Sequence, residues 1–184
     1  MPTVVVPFRR EHPKLRLRLL PEEARGALAE AMLADVLAAC EAVGSSTIVA
    51  READQGEAVE TALRGIESGS ILIVNADLPC VQPRDLLTLL GALPEGGLAL
   101  VEAGDGTTNA LALSAAHLFA PVYGPGSADR FRARAARLGV PVVTAAIPNL
   151  AEDVDTLADL ERLENRLGPR TAAELGQLRA GLVR

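Results

Sequence analysis

The sequence predicts an α/β fold with three layers, α/β/α, built around a mostly parallel mixed sheet. Short runs of aliphatic residues alternate along the chain with longer segments of helical periodicity. This is the pattern of helices that connect parallel strands. The 184 residues include no Trp, one Tyr and three Phe, so the core must consist mainly of Leu, Val, Ile and Ala. A chain of this length can bury a sizeable core, and we expect a single domain over residues 1–184.

Six apolar runs are predicted to be strands. The run at 70–74 is almost entirely apolar and mostly β-branched, as a strand covered on both faces requires. The run at 140–144 contains Pro141. Because proline cannot donate to a strand ladder, this run is expected to be an edge strand or the start of one. The other predicted strands are 4–6, 47–50, 98–101 and 109–113.

The segments between these runs are predicted to be helices. The longest, 21–42, has Pro21 in its first turn and Gly44 at its end. Its apolar stripe is interpreted as core and consists of Leu28, Met32, Val36 and Leu37. The other predicted helices are 57–66, 83–90, 128–138 and 157–167, with a helical turn near His117 and a last helix capped by Thr171.

Composition and motifs argue against several classes of protein. The net charge of −6 argues against nucleic-acid binding, no apolar run reaches membrane-spanning length, and no signal peptide is recognisable. Cys40 and Cys80 lack metal-ligand spacing and are interpreted as reduced thiols, which favours a cytoplasmic location. The dinucleotide fingerprint G-x-G-x-x-G and the Walker A motif are missing. His12 and His117 have no Ser or Cys partner in a nucleophile motif.

Asp77 follows the predicted strand at 70–74, and Pro79 stops that strand. In open α/β sheets the carboxyl ends of strands are where ligands bind. Asp77 is therefore either a metal ligand or a turn residue ahead of a proline.

A second acidic segment is Asp153-Val154-Asp155-Thr156. It either caps the following helix or places two aspartates beside a strand end. Mg²⁺ usually takes one or two carboxylates and completes its shell with phosphates and water. Asp77 and Asp155 would meet that need if the fold brings them together.

Two further loops could contact anions. Residues 8–18 carry five Arg or Lys side chains after the first strand, and this loop is either simply solvated or a site for a polyanion such as a triphosphate. The segments Gly106-Thr107-Thr108 and Gly124-Pro125-Gly126-Ser127 are glycine-rich. Free amides at a helix start, with Ser127 as N-cap, would bind a phosphate or carboxylate; the alternative is an ordinary turn.

The order of these motifs resembles a known family. The matching segments are Val5-Val6-Pro7, Lys14-Leu15-Arg16-Leu17, Asn75-Ala76-Asp77-Leu78-Pro79, Asp105-Gly106-Thr107-Thr108-Asn109-Ala110-Leu111, Tyr123-Gly124-Pro125-Gly126-Ser127 and Asp153-Val154-Asp155-Thr156-Leu157-Ala158-Asp159-Leu160. Over nearly the whole chain this order is similar to the 2-phospho-L-lactate or phosphoenolpyruvate guanylyltransferase family of deazaflavin coenzyme (F-420) biosynthesis. The resemblance implies a Rossmann-like nucleotidyltransferase fold of the GT-A type.

The resemblance also implies a reaction, in which GTP and a phosphorylated three-carbon acid give a guanylylated acid and pyrophosphate. The acid is phosphoenolpyruvate or 2-phospho-L-lactate, and its own phosphate is the nucleophile. Because that phosphate is already anionic at neutral pH, no general base is needed. Positioning and charge neutralisation then supply most of the catalysis, which agrees with a sequence that lacks a His or Cys nucleophile device.

Site residues follow from the resemblance by matching position. The catalytic residues would be Lys14, Arg16 and Asp77, with Lys14 and Arg16 meeting the GTP phosphates and Arg9 as a further candidate for that contact. Asp77 and Asp155 would hold Mg²⁺, with Asp153 as a substitute or helper. The residues that would bind the acid substrate are Thr108, Gly124 and Ser127.

The chain departs from the family pattern in two places. Pro7-Phe8-Arg9 stands where the family commonly has Pro-Val-Lys, and Gly56-Glu57-Ala58 stands where it commonly has Gly-Leu-Asn. The second departure falls where the nucleotide is expected, so the base need not be guanine. Two alternatives remain: a nucleotidyltransferase for another acceptor, such as a molybdopterin or sugar phosphate, and a non-catalytic nucleotide-binding subunit. Partners compatible with the family are a second copy of the chain and a following enzyme that receives the unstable product.

Overall fold

The fold was analysed in a computed structural model that describes residues 1–8, 20–44, 46–51 and 54–182. The strands are β1 (Thr3–Pro7), β2 (Ser46–Ala50), β3 (Ile71–Val74), β4 (Leu98–Glu102), β5 (Thr108–Leu113) and β6 (Val142–Thr144). They form one sheet in the order β2-β1-β3-β5-β4-β6. Among these strands β5 alone runs antiparallel to its neighbours. The predicted mostly parallel mixed sheet is confirmed.

Helices cover both faces of this sheet. They are α1 (Glu22–Glu41), α2 (Gln55–Leu63), α3 (Pro83–Gly91), α4 (Ser127–Leu138), α5 (Pro148–Ala151), α6 (Leu157–Leu163) and α7 (Pro169–Leu182), with 3₁₀ turns at Ala116–Leu118 and Glu164–Arg166. One core cluster joins the sheet to α1, α3 and α5, and another joins its opposite face to α2 and α4. The predicted three-layer architecture is confirmed. No helix in the described ranges has the length and apolar character needed to span a lipid bilayer.

Successive residues of the central strand β3 face opposite layers. Leu72 and Val74 pack in the α1 layer, whereas Ile71 and Ile73 pack in the α2 layer. All four are at most 1% exposed. Each such side chain contributes about 1.5–3 kcal/mol by burial. These contacts fix β3 in the middle of the sheet and therefore fix the position of the residues that follow it.

Helix α7 packs on α1 through a buried carboxylate. Asp35 is 5% exposed and accepts hydrogen bonds from the amides of Arg170 and Thr171, at 3.1 and 2.8 Å, and from Thr171 Oγ1 at 2.7 Å. The prediction that Thr171 caps this helix is wrong, because Pro169 already occupies its first position. The acceptor at the helix start comes instead from α1.

Other element boundaries differ from the predictions for local reasons. Helix α2 begins at Gln55 rather than at 57, because Asp54 Oδ1 accepts hydrogen bonds from the amides of Gly56 and Glu57. Strand β6 begins after Pro141. The short helix α5 was not predicted, and its four residues are too few to show helical periodicity.

Strand direction decides which loops meet. The carboxyl ends of the parallel strands lie at one edge of the sheet, which we call the carboxyl edge. Since β5 is reversed, its amino end lies at the same edge, where Val74 pairs with Ala110 and Glu102 with Thr108. The segments that follow β2, β3, β4 and β6, and the one that precedes β5, therefore surround one region.

Candidate functional site

The loop after β3 and the loop before α6 are joined at the carboxyl edge. Val154 is fully buried, and its amide donates a 3.0 Å hydrogen bond to the carbonyl oxygen of Asp77. This bond brings the backbone of Asp77 beside a residue flanked by Asp153 and Asp155. The fold thus brings the backbones of the two acidic segments together, and the shared metal site of Asp77 and Asp155 stays a prediction.

Carboxylates are concentrated around this junction. Oδ1 of Asp77 is buried, and a neighbouring cavity of about 370 Å³ is lined by residues that include Asp105, Asp153 and Asp155. Hard divalent cations prefer such oxygen donors. Within the described ranges no group of three or more His, Cys, Asp or Glu side chains could hold a metal ion. Mg²⁺ commonly takes only one or two carboxylates from a protein when phosphates supply the rest, so an Mg²⁺ site at this junction stays a prediction.

Charged side chains at the rim of this cavity form ion pairs with one another. Arg162 donates to Glu152 at 2.5 Å and to Asp159 at 3.3 Å, and Arg166 also donates to Glu152. Burial raises the pKa of Glu152, but the hydrogen bonds from Arg166 and Arg162 outweigh it and leave the pKa below its usual value. Glu152 is therefore a carboxylate at neutral pH and pairs with both arginines, of which Arg162 lines the cavity.

The start of α6 is fixed by a capping box directly after Asp155. Thr156 Oγ1 accepts from the amide of Asp159, and Asp159 Oδ2 accepts from the amides of Asp155 and Thr156. The predicted capping role of this segment is confirmed, with Thr156 as the N-cap. Burial raises the pKa of Asp159, and the hydrogen bonds from Thr156, Asp155 and Arg162 lower it further than burial raises it. The cap fixes the backbone from which the Asp155 side chain projects.

A row of side-chain amides crosses the carboxyl edge. Gln55 Nε2 donates to Asn75 Oδ1 at 2.7 Å, and Asn75 Nδ2 donates to Asn109 Oδ1 at 3.5 Å. Asn109 Nδ2 in turn donates to Asp153 Oδ1 at 3.4 Å. Sequence reasoning missed this row. Its members are far apart in the chain, and only the reversal of β5 places Asn109 next to Asn75.

The two glycine-rich segments are joined by a buried pair of hydroxyls. Thr108 and Ser127 are at most 1% exposed. Ser127 Oγ accepts from the Thr108 amide at 2.9 Å and donates to Thr108 Oγ1 at 3.1 Å. The prediction that Ser127 is an N-cap is wrong: Gly126, at φ +70°, is the N-cap, and Ser127 is the first helical residue. Its hydroxyl is turned towards β5 instead of the helix start.

Backbone bonds reinforce this junction. The Ser127 amide donates to the Gly124 carbonyl at 3.0 Å, and the Ala128 amide donates to the Gly106 carbonyl at 3.3 Å. These two amides at the start of α4 therefore donate to carbonyls of the glycine-rich segments. The amides of Gly124 and Gly126, which precede Ser127, remain for the expected anion receptor. The predicted roles of Thr108, Gly124 and Ser127 in binding the acid stay predictions.

Three of the four aromatic side chains form a cluster next to this loop: Phe119, Tyr123 and Phe131. Tyr123 packs edge-on against Phe131 with ring centroids 5.5 Å apart, and Phe119 lies 6.2–6.3 Å from both. Burial raises the pKa of the Tyr123 phenol, so this group stays neutral. The cluster gives the Gly124–Ser127 segment a rigid apolar base.

The nucleotide side of the site is described only in part. The basic residues Lys14 and Arg16, with Arg9, lie outside the described residues. Phe8 is buried, with the Arg51 guanidinium 5.2 Å above its ring. Gly56 packs closely on Pro121, where an added Cβ would come within 2.7 Å of Pro121 Cβ.

Both cysteines are buried free thiols, as the sequence indicated. Burial raises the pKa of Cys40 from 9.0 to about 12, and it also raises the pKa of Cys80. Neither is a nucleophile at neutral pH.

Comparison with curated proteins finds several guanylyltransferases that are similar to this chain. No protein-family model matches the chain. The phosphoenolpyruvate guanylyltransferase of Nocardia farcinica is 34% identical, with 88% of this chain and 84% of that protein covered. The 2-phospho-L-lactate guanylyltransferase of Natrialba magadii is 32% identical, with 96% and 88% covered. The phosphoenolpyruvate guanylyltransferase of Sphaerobacter thermophilus is 41% identical over 105 residues, and the match spans about half (50%) of that relative's length.

Solved structures share the fold at low sequence identity. A protein described as a nucleotide-diphospho-sugar transferase from Desulfovibrio desulfuricans superposes with a TM-score of 0.75 at 16% identity, covering 98% of this chain and 96% of that one. The 2-C-methyl-D-erythritol 4-phosphate cytidylyltransferase of Thermus thermophilus gives 0.58 at 15% identity, covering 90% and 98%. The predicted nucleotidyltransferase type of fold is confirmed.

Proposed function

Because this chain belongs to the phosphoenolpyruvate and 2-phospho-L-lactate guanylyltransferase family, we propose that it transfers the GMP unit of GTP to the phosphate of one of these acids and releases pyrophosphate. The structural observation that carries the proposal is the hydrogen bond from Val154 to Asp77. It joins two acidic segments beside the buried Thr108–Ser127 pair, so the residues proposed to bind the cation and the residues proposed to bind the anion lie at one edge of the sheet.

The proposed chemistry needs positioning more than proton transfer. The acid's phosphate oxygen attacks the α-phosphorus of GTP, and pyrophosphate leaves from the opposite side. Each reacting group is anionic, so their mutual repulsion must be offset by cations and by oriented amides. In the described part of the chain, the cysteines are buried and His117 lies in a 3₁₀ turn, which agrees with a mechanism that uses no protein nucleophile.

The acidic junction is proposed to hold Mg²⁺. Asp77 and Asp155 would be its protein ligands, and Asp153, held by Asn109, would stand beside them. When bound, the ion would neutralise charge on the GTP phosphates. The capping box at Thr156 fixes the backbone next to Asp155, and Oδ1 of Asp77 is buried, which supports the proposal that both residues are positioned before substrate arrives.

The acid is proposed to lie between β5 and the start of α4. Thr108, Gly124 and Ser127 would surround its phosphate and carboxylate, with backbone amides as the donors. The basic residues Lys14 and Arg16 would contact the GTP phosphates from the loop after β1.

The test is release of pyrophosphate, measured with each of the four common nucleoside triphosphates and with phosphoenolpyruvate, 2-phospho-L-lactate and sugar phosphates, with and without Mg²⁺. We expect release only with Mg²⁺ and one of the two phospho-acids, with GTP as the preferred donor. Release with a sugar phosphate alone would favour the alternative acceptor. Tight GTP binding without release from any acceptor would favour the non-catalytic subunit.

Three further expectations belong to this proposal. The reaction would serve coenzyme F-420 biosynthesis in the cytoplasm. The unstable product would be passed to the enzyme that follows. The chain would form a homodimer, which sedimentation at micromolar concentration tests directly.

A further inference from the structure

In the loop that precedes α4, all of the backbone carbonyl groups accept hydrogen bonds from other parts of the protein. Between residues 122 and 126 every carbonyl oxygen accepts a hydrogen bond. The Gly124 carbonyl is bound by the Ser127 amide, and the Gly126 carbonyl by the Arg130 amide. The other three are bound by a single side chain.

That side chain is Arg130. Its Nε donates to Val122 at 3.0 Å, Nη1 to Pro125 at 2.5 Å and Nη2 to Tyr123 at 2.9 Å. Each nitrogen of the guanidinium thus serves a different carbonyl. A planar fork of five N–H donors can do this, whereas the single ammonium nitrogen of lysine cannot span the same three oxygens.

The direction of these carbonyls sets the direction of the amides. The described residues contain no cis peptide bond, and in a trans peptide the N–H points opposite to the C=O. When the Tyr123 and Pro125 carbonyls face Arg130, the amides of Gly124 and Gly126 must face away from it. None of the described residues is recorded as accepting a hydrogen bond from these two amides.

Glycine makes this arrangement accessible. Gly124 has φ +99° and Gly126 has φ +70°, left-handed conformations that residues other than glycine rarely adopt. The opposite end of the same segment is bound to β5 through Ser127 and Thr108. The amides are therefore held between a guanidinium on one side and the proposed acid site on the other.

We infer that Arg130 is a positioning residue for the acid substrate: its guanidinium holds the loop carbonyls away from the site and so aims the amides of Gly124 and Gly126 at the substrate's anionic groups. Arg130 does this without touching the substrate. Without it, the carbonyls can turn towards the site and repel the anion that the amides would bind. This inference rests on the proposed function.

A matched control lies one turn further along α4. Arg134 also donates to backbone carbonyls, through Nε to Leu118 at 3.2 Å and through Nη2 to His117 at 3.3 Å. Its carbonyls belong to the 3₁₀ turn, not to the glycine loop. Replacing Arg134 removes the same charge from the same helix and leaves the loop intact.

The experiment compares Arg130→Gln, Arg130→Lys and Arg134→Gln with the wild type. It measures the KM of the phospho-acid and of GTP, the dissociation constant of the acid by calorimetry with phosphoenolpyruvate and with 2-phospho-L-lactate, and the melting temperature. For Arg130→Gln we expect the KM and dissociation constant of the acid to rise about tenfold or more, since small displacements of positioning groups weaken catalysis strongly. The KM of GTP should change less than about twofold, and Arg134→Gln should leave all three constants near the wild-type values. Arg130→Lys keeps the charge but not the fork, so it should resemble Arg130→Gln.

Several results would overturn the inference. They are an unchanged acid affinity in Arg130→Gln, an equal loss in Arg134→Gln, equal weakening of GTP and acid, or full rescue by lysine, which would indicate a role of charge alone. A wild type that binds the acid but releases no pyrophosphate would refute the proposed function, and the calorimetric comparison would still decide the role of Arg130. A wild type that binds neither acid would refute both.

Discussion

Val154 and Asp77 are joined by one backbone hydrogen bond, from the amide of the first to the carbonyl of the second, although 77 positions separate them. Neither side chain takes part. The bond therefore sets where the acidic segment sits whatever side chains occupy it, and substitutions of the aspartates can be tested without moving the backbone junction.

Asp77→Asn should strongly lower the rate of the Mg²⁺-dependent reaction while the fold is retained. Asparagine keeps the size of the side chain but removes the charge that a cation requires. We expect kcat/KM to fall by about 10²–10³-fold, the range found when one electrostatic group is removed from an active site. Pyrophosphate release at increasing Mg²⁺ measures this, with Glu67→Gln, an exposed carboxylate between α2 and β3, as the control. A wild-type rate in Asp77→Asn would refute its role as a metal ligand.

Ser127→Ala should affect stability and acid binding together. It leaves the buried Thr108 amide without its acceptor, which costs about 1–3 kcal/mol in the free energy of unfolding. The KM of the acid should rise, whereas that of GTP should not. Urea unfolding and initial rates measure these effects. Thr88→Ala removes an exposed hydroxyl bound to a helix carbonyl and should cost no more than about 0.5 kcal/mol; equal losses in the two variants would show that burial of the pair is unimportant.

Asp35→Ala should be strongly destabilising with little effect on the acid's KM. It removes the acceptor of three donors at the start of α7, and we expect a loss of about 2–4 kcal/mol. Urea unfolding provides the measurement. Asp129→Ala serves as the comparison, because the Asp129 side chain is 85% exposed and its ion pair with Arg132 should contribute less than about 1 kcal/mol. If Asp35→Ala and Asp129→Ala lowered the free energy of unfolding equally, the stabilising role of the Asp35 contacts between α1 and α7 would be refuted.

Cys40 should make the protein lose stability in alkaline solution. Its pKa is raised in the folded state from 9.0 to about 12, so the unfolded chain releases the thiol proton first as the pH rises. The stability that the neutral thiol contributes is complete below pH 9.0 and is lost between pH 9.0 and about 12. In that window the free energy of unfolding of the wild type should fall, relative to Cys40→Ala, by about 1.4 kcal/mol per pH unit. Urea midpoints at several pH values measure the difference; parallel curves for the two proteins would contradict the prediction.

Local patterns were sufficient to predict most of the elements. Continuous apolar runs marked the central strands, and Pro83 and Gly139 stand near helix ends as their backbone preferences require. The fold class could be predicted because strands and helices alternate along the chain. The antiparallel direction of β5 could not, since a buried strand has the same composition in either direction.

The sequence could predict those candidate site residues that stand out by their residue type within a single segment. Asp77, Asp155 and the glycine loops stand at element ends that the sequence itself marks. The amide row from Gln55 to Asp153 and the Arg130 contacts depend on pairs brought together by the tertiary fold. No spacing in the sequence encodes them, and Ser127 was assigned as a cap because only its local context was visible.

The contact between Asp35 and Thr171 also has a consequence for synthesis of the protein. Helix α1 is made early, and the helix that covers its Leu28 and Met32 side is made about 135 residues later. Until then the nascent chain presents an apolar helix face with a carboxylate beside it. When α7 docks, the Asp35 carboxylate and the apolar side chains next to it become buried. A ribosome-bound chain that stops before Pro169 should therefore be cleaved by proteases in α1 more readily than the finished protein.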